Sequence, residues 1–172
     1  MTKRKWLEYS VKKSLINQAG RELLIIYSPC VLSLGWLDEW MTIFQERSAK
    51  VDSYELDGEP SWNDLIKCRS KVSSKTRIWG LGGGSVMDLA KLASVEVSEC
   101  DRKMNFLRPK KLVQRHKVWL FPTHYSSSSY ASSSATLIRD RHKISGVGLT
   151  VEKVLIDPNV LKSVPEKAWI YG

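Results

Sequence analysis

Cysteine and histidine are scarce in this chain of 172 residues. Cys30, Cys68 and Cys100 stand 38 and 32 residues apart, with no CxxC or zinc-type spacing. An odd count argues against a disulfide framework and points to a reducing, cytoplasmic setting. His116, His124 and His142 form no HxxxH pattern, so the chain offers no recognisable metal motif of its own. Long apolar runs are also missing. The longest aliphatic stretch is Leu23-Leu24-Ile25-Ile26, against the roughly 20 residues a membrane-spanning helix needs. Met1 to Lys5 opens like the charged start of a signal peptide, but no apolar h-region follows, so secretion is not expected.

What is present is ordinary for a globular protein: 42% hydrophobic and 26% charged residues. This excludes global disorder and collagen-like or mucin-like chains. A chain of this length buries roughly 70% of its unfolded surface, enough for a core without staples. The net charge of +9 is unevenly spread. Asp101 to Lys117 carries seven basic residues against one acid, and the first thirteen residues carry a net +4. Residues 35–64 run the other way, with eight acids against Arg47 and Lys50. The basic stretches read either as solvated faces or as a docking surface for an acidic protein, a phosphorylated ligand or nucleic acid. No RNP, zinc-finger or helix-turn-helix signature accompanies them, so nucleic acid rests on charge alone.

Strand and helix signals alternate through the first 121 residues. Arg21–Tyr27, Val51–Leu56, Arg77–Leu81 and Val118–Phe121 read as strands, with Ser28-Pro29 closing the first. Gly35–Arg47 reads as a helix because Trp36, Trp40 and Phe44 recur at i, i+4 and i+8, which places the tryptophans in the core. Ser61 suits the cap of a helix through about Val72, and Ser85 to about Glu99 carries apolar Val86, Leu89, Ala90, Ala93 and Val97. Ala135–Ile138 and Lys153–Ile156 are further strand candidates. The pattern predicts an α/β fold: a Rossmann-like parallel sheet with helices on both faces, plus a β-rich segment after a serine-rich loop. Residues 1–20 form a basic N-terminal segment and 21–172 one domain. Ligands in such sheets bind at the carboxyl ends of strands, here after Leu81 and after Phe121.

The strongest local signal is Trp79-Gly80-Leu81-Gly82-Gly83-Gly84-Ser85-Val86-Met87-Asp88-Leu89-Ala90-Lys91, a strand, a glycine turn and a helix start. Glycines admit positive φ and close ligand approach, and free N–H groups at a helix start attract phosphate. The spacing is neither GxGxxG nor Walker A. Ser85 and Asp88 could equally form a capping box, which would leave the three glycines unexplained.

Gly82-Gly83-Gly84-Ser85-x-x-Asp88-x-Ala90-Lys91 resembles the nucleotide-binding motif of the iron-containing (group III) alcohol dehydrogenases. Phe121-Pro122-Thr123-His124 and the serines that follow, through Ala135, resemble that family's Ile-Pro-Thr-Thr-x-Gly-Thr-Gly-Ser-Glu loop. Asp140, Lys143, Leu155-Ile156-Asp157-Pro158 and Val164-Pro165 follow in the family's order. The resemblance implies an N-terminal domain that binds NAD or NADP for hydride transfer with a small alcohol or aldehyde. It would place the pyrophosphate on Gly83, Gly84 and Ser85, with Gly82 also at the cofactor and Asp88 supporting the turn. Thr123, Ser127 and Lys143 would line the nucleotide, with His124 close to it. Ser126 and Ser128 stand where the family has glycine, and Tyr130 where it has Glu. Ser28 occupies the place of an acid that favours NAD, so the resemblance implies that NADP is tolerated.

In that family a second, helical domain carries the metal ligands, an Asp and three His. The resemblance therefore implies the nucleotide-binding half of such an enzyme, without the helical metal domain. It would be completed by a helical metal-binding partner supplying Fe or Zn or by a longer parent chain, and a homo-oligomer is a further possible partner. The competing expectation is a non-catalytic interaction module that docks an acidic protein or peptide.

Overall fold

The computed structural model describes residues 17–18, 20–33, 35–45, 50–124 and 128–156. Most of the basic N-terminal segment, Ser126, Ser127, Asp157-Pro158 and Val164-Pro165 lie outside the described residues. The strands are β1 (Glu22–Tyr27), β2 (Lys50–Glu55), β3 (Arg77–Gly82), β4 (Val118–Pro122), β5 (Ala135–Arg139), β6 (His142–Gly146) and β7 (Lys153–Val154). The helices are α1 (Pro29–Ser33), α2 (Trp36–Gln45), α3 (Trp62–Arg69), α4 (Gly84–Ala93) and α5 (Val97–Lys103).

Five strands make one parallel sheet in the order β2-β1-β3-β4-β7. Burial on both faces explains why β1, β3 and β4 read as unbroken apolar runs. Side chains alternate across the sheet, so one face carries Leu23, Ile25, Trp79, Trp119 and Phe121 against Trp40 and Phe44 of α2. The other carries Leu24, Ile26, Ile78, Val118 and Leu120 against Leu65 of α3 and Leu89, Ala90 and Ala93 of α4. Gly80 sets the spacing of that second layer. A Cβ there would stand 2.9 Å from the Ala90 methyl and 3.0 Å from Leu120 Cδ2, so glycine lets α4 lie directly on the sheet.

The helices between β1 and β2 cover one face, and those between β2 and β4 cover the other. The strand order reverses between β1 and β3, which is the topological switch point where such sheets open a crevice. The remaining two strands form a separate antiparallel hairpin, β5-β6. Asp140 and Arg141 turn it with φ of 50° and 67°, the paired left-handed geometry of a two-residue hairpin loop.

Several elements differ from the sequence reading: the helix expected through about Val72 ends at Arg69, and the strand expected over Lys153–Ile156 spans Lys153–Val154. Pro29 opens a helix instead of only closing a strand, because its fixed φ suits the first helical position. The helix expected through Glu99 breaks after Ala93. Ser94 Oγ donates back to the Lys91 carbonyl at 2.5 Å, Val95 makes an antiparallel bridge to Gln114, and Glu96 caps a new helix. The strand at 142–146 went unread, since its alternation is mixed with charged residues.

Candidate functional site

At the switch point a cleft of about 350 Å³ opens over the carboxyl ends of β1, β2 and β3. Ser28, Pro29 and Cys30 line it from the end of β1, and Leu56, Asp57 and Gly58 from the end of β2. Gly83, Gly84, Ser85 and Val86 form its floor, and His124 enters from the end of β4.

The floor is the start of α4. Gly83 is its N-cap in extended conformation, and no side chain caps it. The first backbone bond of the helix runs from the Met87 N–H to the Gly83 carbonyl. The amides of Gly84, Ser85 and Val86 therefore lack intrahelical acceptors and carry the positive end of the helix dipole. Helix α3 shows the contrast. Its N-terminus is closed by a complete capping box, with Ser61 Oγ accepting from the Asp64 amide and Asp64 Oδ2 accepting from the Ser61 amide at 2.7 Å. The capping box considered for Ser85 and Asp88 does not form, because the helix starts one residue before Ser85.

Glycine serves proximity here, not left-handed backbone: Gly82, Gly83 and Gly84 are not among the positive-φ residues. A Cβ on Gly82 would lie 2.8 Å from Val86 Cγ2 and 3.0 Å from Ser28 Oγ, and one on Gly83 would lie 3.3 Å from His124 Cδ2. Any larger side chain would intrude into the cleft.

Asp88 points away from the cleft toward the serine-rich segment. Its carboxylate accepts from Ser129 Oγ and, at 3.1 Å, from the Thr136 amide. Lys91 beside it is fully buried. Its ammonium donates to the carbonyls of Ser129 at 2.8 Å, Ser132 at 3.3 Å and Ser134, and stands 3.3 Å from Asp88 Oδ1. Burial pushes the Lys91 pKa down, and the Asp88 carboxylate pulls it only part of the way back. The pair thus staples residues 129–136 onto α4. Sequence reasoning gave Lys91 no role. The available signal was a lysine one residue beyond Ala90 on an otherwise apolar helix face.

Thr123 continues β4, and its amide donates to the Gly82 carbonyl at 3.0 Å. Its hydroxyl is buried without a hydrogen-bond partner among the described residues. Lys143 sits on β6 and pairs with Glu59. With Ser85, Asp88 and Thr136 it lines a smaller cavity of about 110 Å³, so it shares Ser85 with the main cleft without entering it. Asp57 and Cys30, both lining the cleft, were not singled out from the sequence.

The basic run is partly neutralised. Arg102 and Lys103 pair with Glu99, and Lys117 pairs with Glu152. Burial pushes the Cys68 and Cys100 thiols up to about 12, which makes them inert. Among the described residues no group of three or more His, Cys, Asp or Glu could hold a metal ion. No helix among them is long and apolar enough to cross a membrane.

His116 is half-buried, and its Nδ1–H donates to the Thr76 carbonyl at 3.0 Å. Burial, then the nearby Arg69 charge, lowers its pKa from the ordinary 6.5. The unfolded chain therefore takes up the proton first. Stability is complete above pH of about 6.5 and falls as the pH drops toward the folded-state pKa. His116→Gln is expected to flatten the fall in urea stability between pH 7 and pH 5, and an unchanged slope would contradict this.

The family model for the iron-containing alcohol dehydrogenases matches residues 9–158. The chain belongs to this family. Its parallel sheet and flanking helices are the Rossmann-like N-terminal fold of these proteins. An iron-containing alcohol dehydrogenase from Thermococcus thioreducens superposes with a TM-score of 0.74 at 23% identity, over 91% of this chain and 46% of the other. The NADH-dependent butanol dehydrogenase A of Thermotoga maritima gives 0.74 at 17% identity, over 95% and 43%. The sulfoacetaldehyde reductase of Bifidobacterium kashiwanohense, solved with NAD+, gives 0.73 at 17% identity, over 91% and 44%. The chain thus spans about half the length of the solved dehydrogenases it matches. No curated protein sequence matches it significantly.

Proposed function

We propose that this chain is the NAD(P)-binding half of an iron-type alcohol dehydrogenase, taking part in hydride transfer between a nicotinamide and a small alcohol or aldehyde. The observation that carries this reading is the uncapped start of α4, facing a cleft at the switch point of a parallel sheet. The residues fit the cofactor. The pyrophosphate would accept from the amides of Gly84, Ser85 and Val86, in the space that glycine leaves at 82 and 83. The buried Thr123 hydroxyl would find in the nucleotide the partner it lacks among the described residues. Ser127 and Lys143 complete the proposed cofactor residues, Lys143 from the adjoining cavity. His124 flanks the nicotinamide end.

The described residues do not fit the family's metal. A helical chain or domain beyond these residues would supply the Fe or Zn ligands and the alcohol pocket. Phe106 and Leu107, 70% and 80% exposed beside Arg108, Lys110 and Lys111, form a face where such a partner would dock.

Gly83→Asp separates binding from folding. Aspartate is a better N-cap than glycine by a few tenths of a kcal/mol and complements the helix dipole, while its Cβ makes the His124 ring, 3.3 Å away, shift by a few tenths of an ångström, so thermal stability should change little. The same carboxylate would occupy the pyrophosphate position. NADH and NADPH titrated by fluorescence should bind the parent chain and be lost in the variant. Absence of any binding by the parent at millimolar cofactor would remove the proposal.

A further inference from the structure

We infer that Asp57 makes this cleft select NAD(H) over NADP(H). The inference rests on the nucleotide reading above and specifies which nucleotide. The pyrophosphate position at the start of α4 fixes the two directions the ligand can run. Toward β4 lies His124. Toward β1 and β2 lie Ser28 and Asp57, and dinucleotide-binding sheets of this kind seat the adenosine ribose against an acid at a strand end, which here places it beside Asp57. Strands β1 and β2 are direct neighbours, with Tyr27 opposite Glu55 and the Leu56 amide donating to the Tyr27 carbonyl at 2.8 Å. Ser28 and Asp57 therefore leave the sheet side by side at the same end.

Charge decides the choice between the two cofactors. Among the described residues lining the cleft there is no lysine or arginine, and Asp57 is the one carboxylate. A 2′-phosphate placed beside it would meet repulsion and no cation. A free 2′-hydroxyl could donate to the carboxylate, the arrangement by which an acid at a strand end reads ribose. Gly58 helps the approach. It holds φ of +82°, and a Cβ built on it has no atom within 4 Å, so the backbone beside Asp57 is open. The sequence reading that Ser28 leaves NADP tolerated considered β1 alone, and the neighbouring strand restores the negative charge.

The test is fluorescence titration of the full chain with NADH and NADPH at fixed ionic strength, for the parent and for Asp57→Asn. Asp57 is exposed, so the isosteric amide should leave folding intact. NADH should bind the parent about tenfold or more tightly than NADPH, the scale of one hydrogen bond to a charged group. In Asp57→Asn the NADH affinity should fall and the NADPH affinity rise, closing most of that gap. A structural defect would weaken both cofactors together and leave their ratio unchanged. An unchanged ratio in the variant, or parental NADPH binding as tight as NADH, overturns the selection by Asp57 while leaving a nucleotide site. Failure of both cofactors to bind the parent overturns the site and the inference with it.

Discussion

Lys91→Met should destabilise the domain by about 3–5 kcal/mol, the loss measured when one member of a buried ion pair is removed. Methionine fills much of the lysine's volume, so cavity formation is minor. What disappears is the donor shared by the carbonyls of Ser129, Ser132 and Ser134, and the cation beside Asp88. These part-buried acceptors would lose their donor and regain water only in part, at a fraction of the full desolvation cost. The damage should concentrate where the staple acts, so protease cleavage should appear between residues 128 and 136 before the sheet unfolds. Asp88→Asn in the same background should cost much less than it does alone, because the two residues act as one unit. Urea unfolding measures each variant. A loss below about 1 kcal/mol for Lys91→Met would show that the segment holds itself without the ammonium.

Trp79→Ala should cost a similar amount, about 3–5 kcal/mol. Trp79 is fully buried at the centre of the aromatic layer. It stacks on Trp119 at 5.2 Å and meets the edges of Trp40 at 5.2 Å and Phe44 at 5.4 Å. Phe121 lies 5.0 Å away. Such ring pairs add to area burial, and close-packed rings cannot collapse into the space left behind. Trp79→Phe should cost distinctly less. The Trp79 Nε1 is buried without a hydrogen-bond partner among the described residues, so its removal also removes an unsatisfied donor. The neighbour Trp119 behaves differently, since its Nε1 donates to Glu152 at 2.8 Å. Thermal unfolding of both Trp79 variants decides this, and equal losses for Ala and Phe would contradict it.

Much of the fold was legible because its signals are local. The runs Leu23–Tyr27, Ile78–Leu81 and Val118–Phe121 are short, apolar and bounded by turns, so they read as buried parallel strands. The recurrence of Trp40 and Phe44 one helical turn apart placed both in the core, and both are buried there. The glycine turn before α4 marked the end of the sheet where the cleft opens, since a strand, glycines and a helix start are contiguous in the chain. The break at Ser94 was hidden because it depends on Val95 pairing with Gln114, nineteen residues away. The capping-box alternative for Asp88 does not form, and the partners its carboxylate does find were out of reach for a similar reason. Its carboxylate finds Ser129 and Thr136, which lie more than forty residues further on.

The sequence by itself determined the alternation of strands and helices, the position of the glycine turn and the family motifs along the chain. These depend on side-chain periodicity and backbone preference within a few residues. Only the tertiary structure decided that the glycines serve close approach, that Lys91 buries its charge under the serine segment, and that Asp57 faces the same cleft as Gly83. Each of those depends on which distant strand ends meet at the switch point. A carboxylate or ammonium takes its role from the charges and carbonyls folded against it, not from its neighbours in sequence.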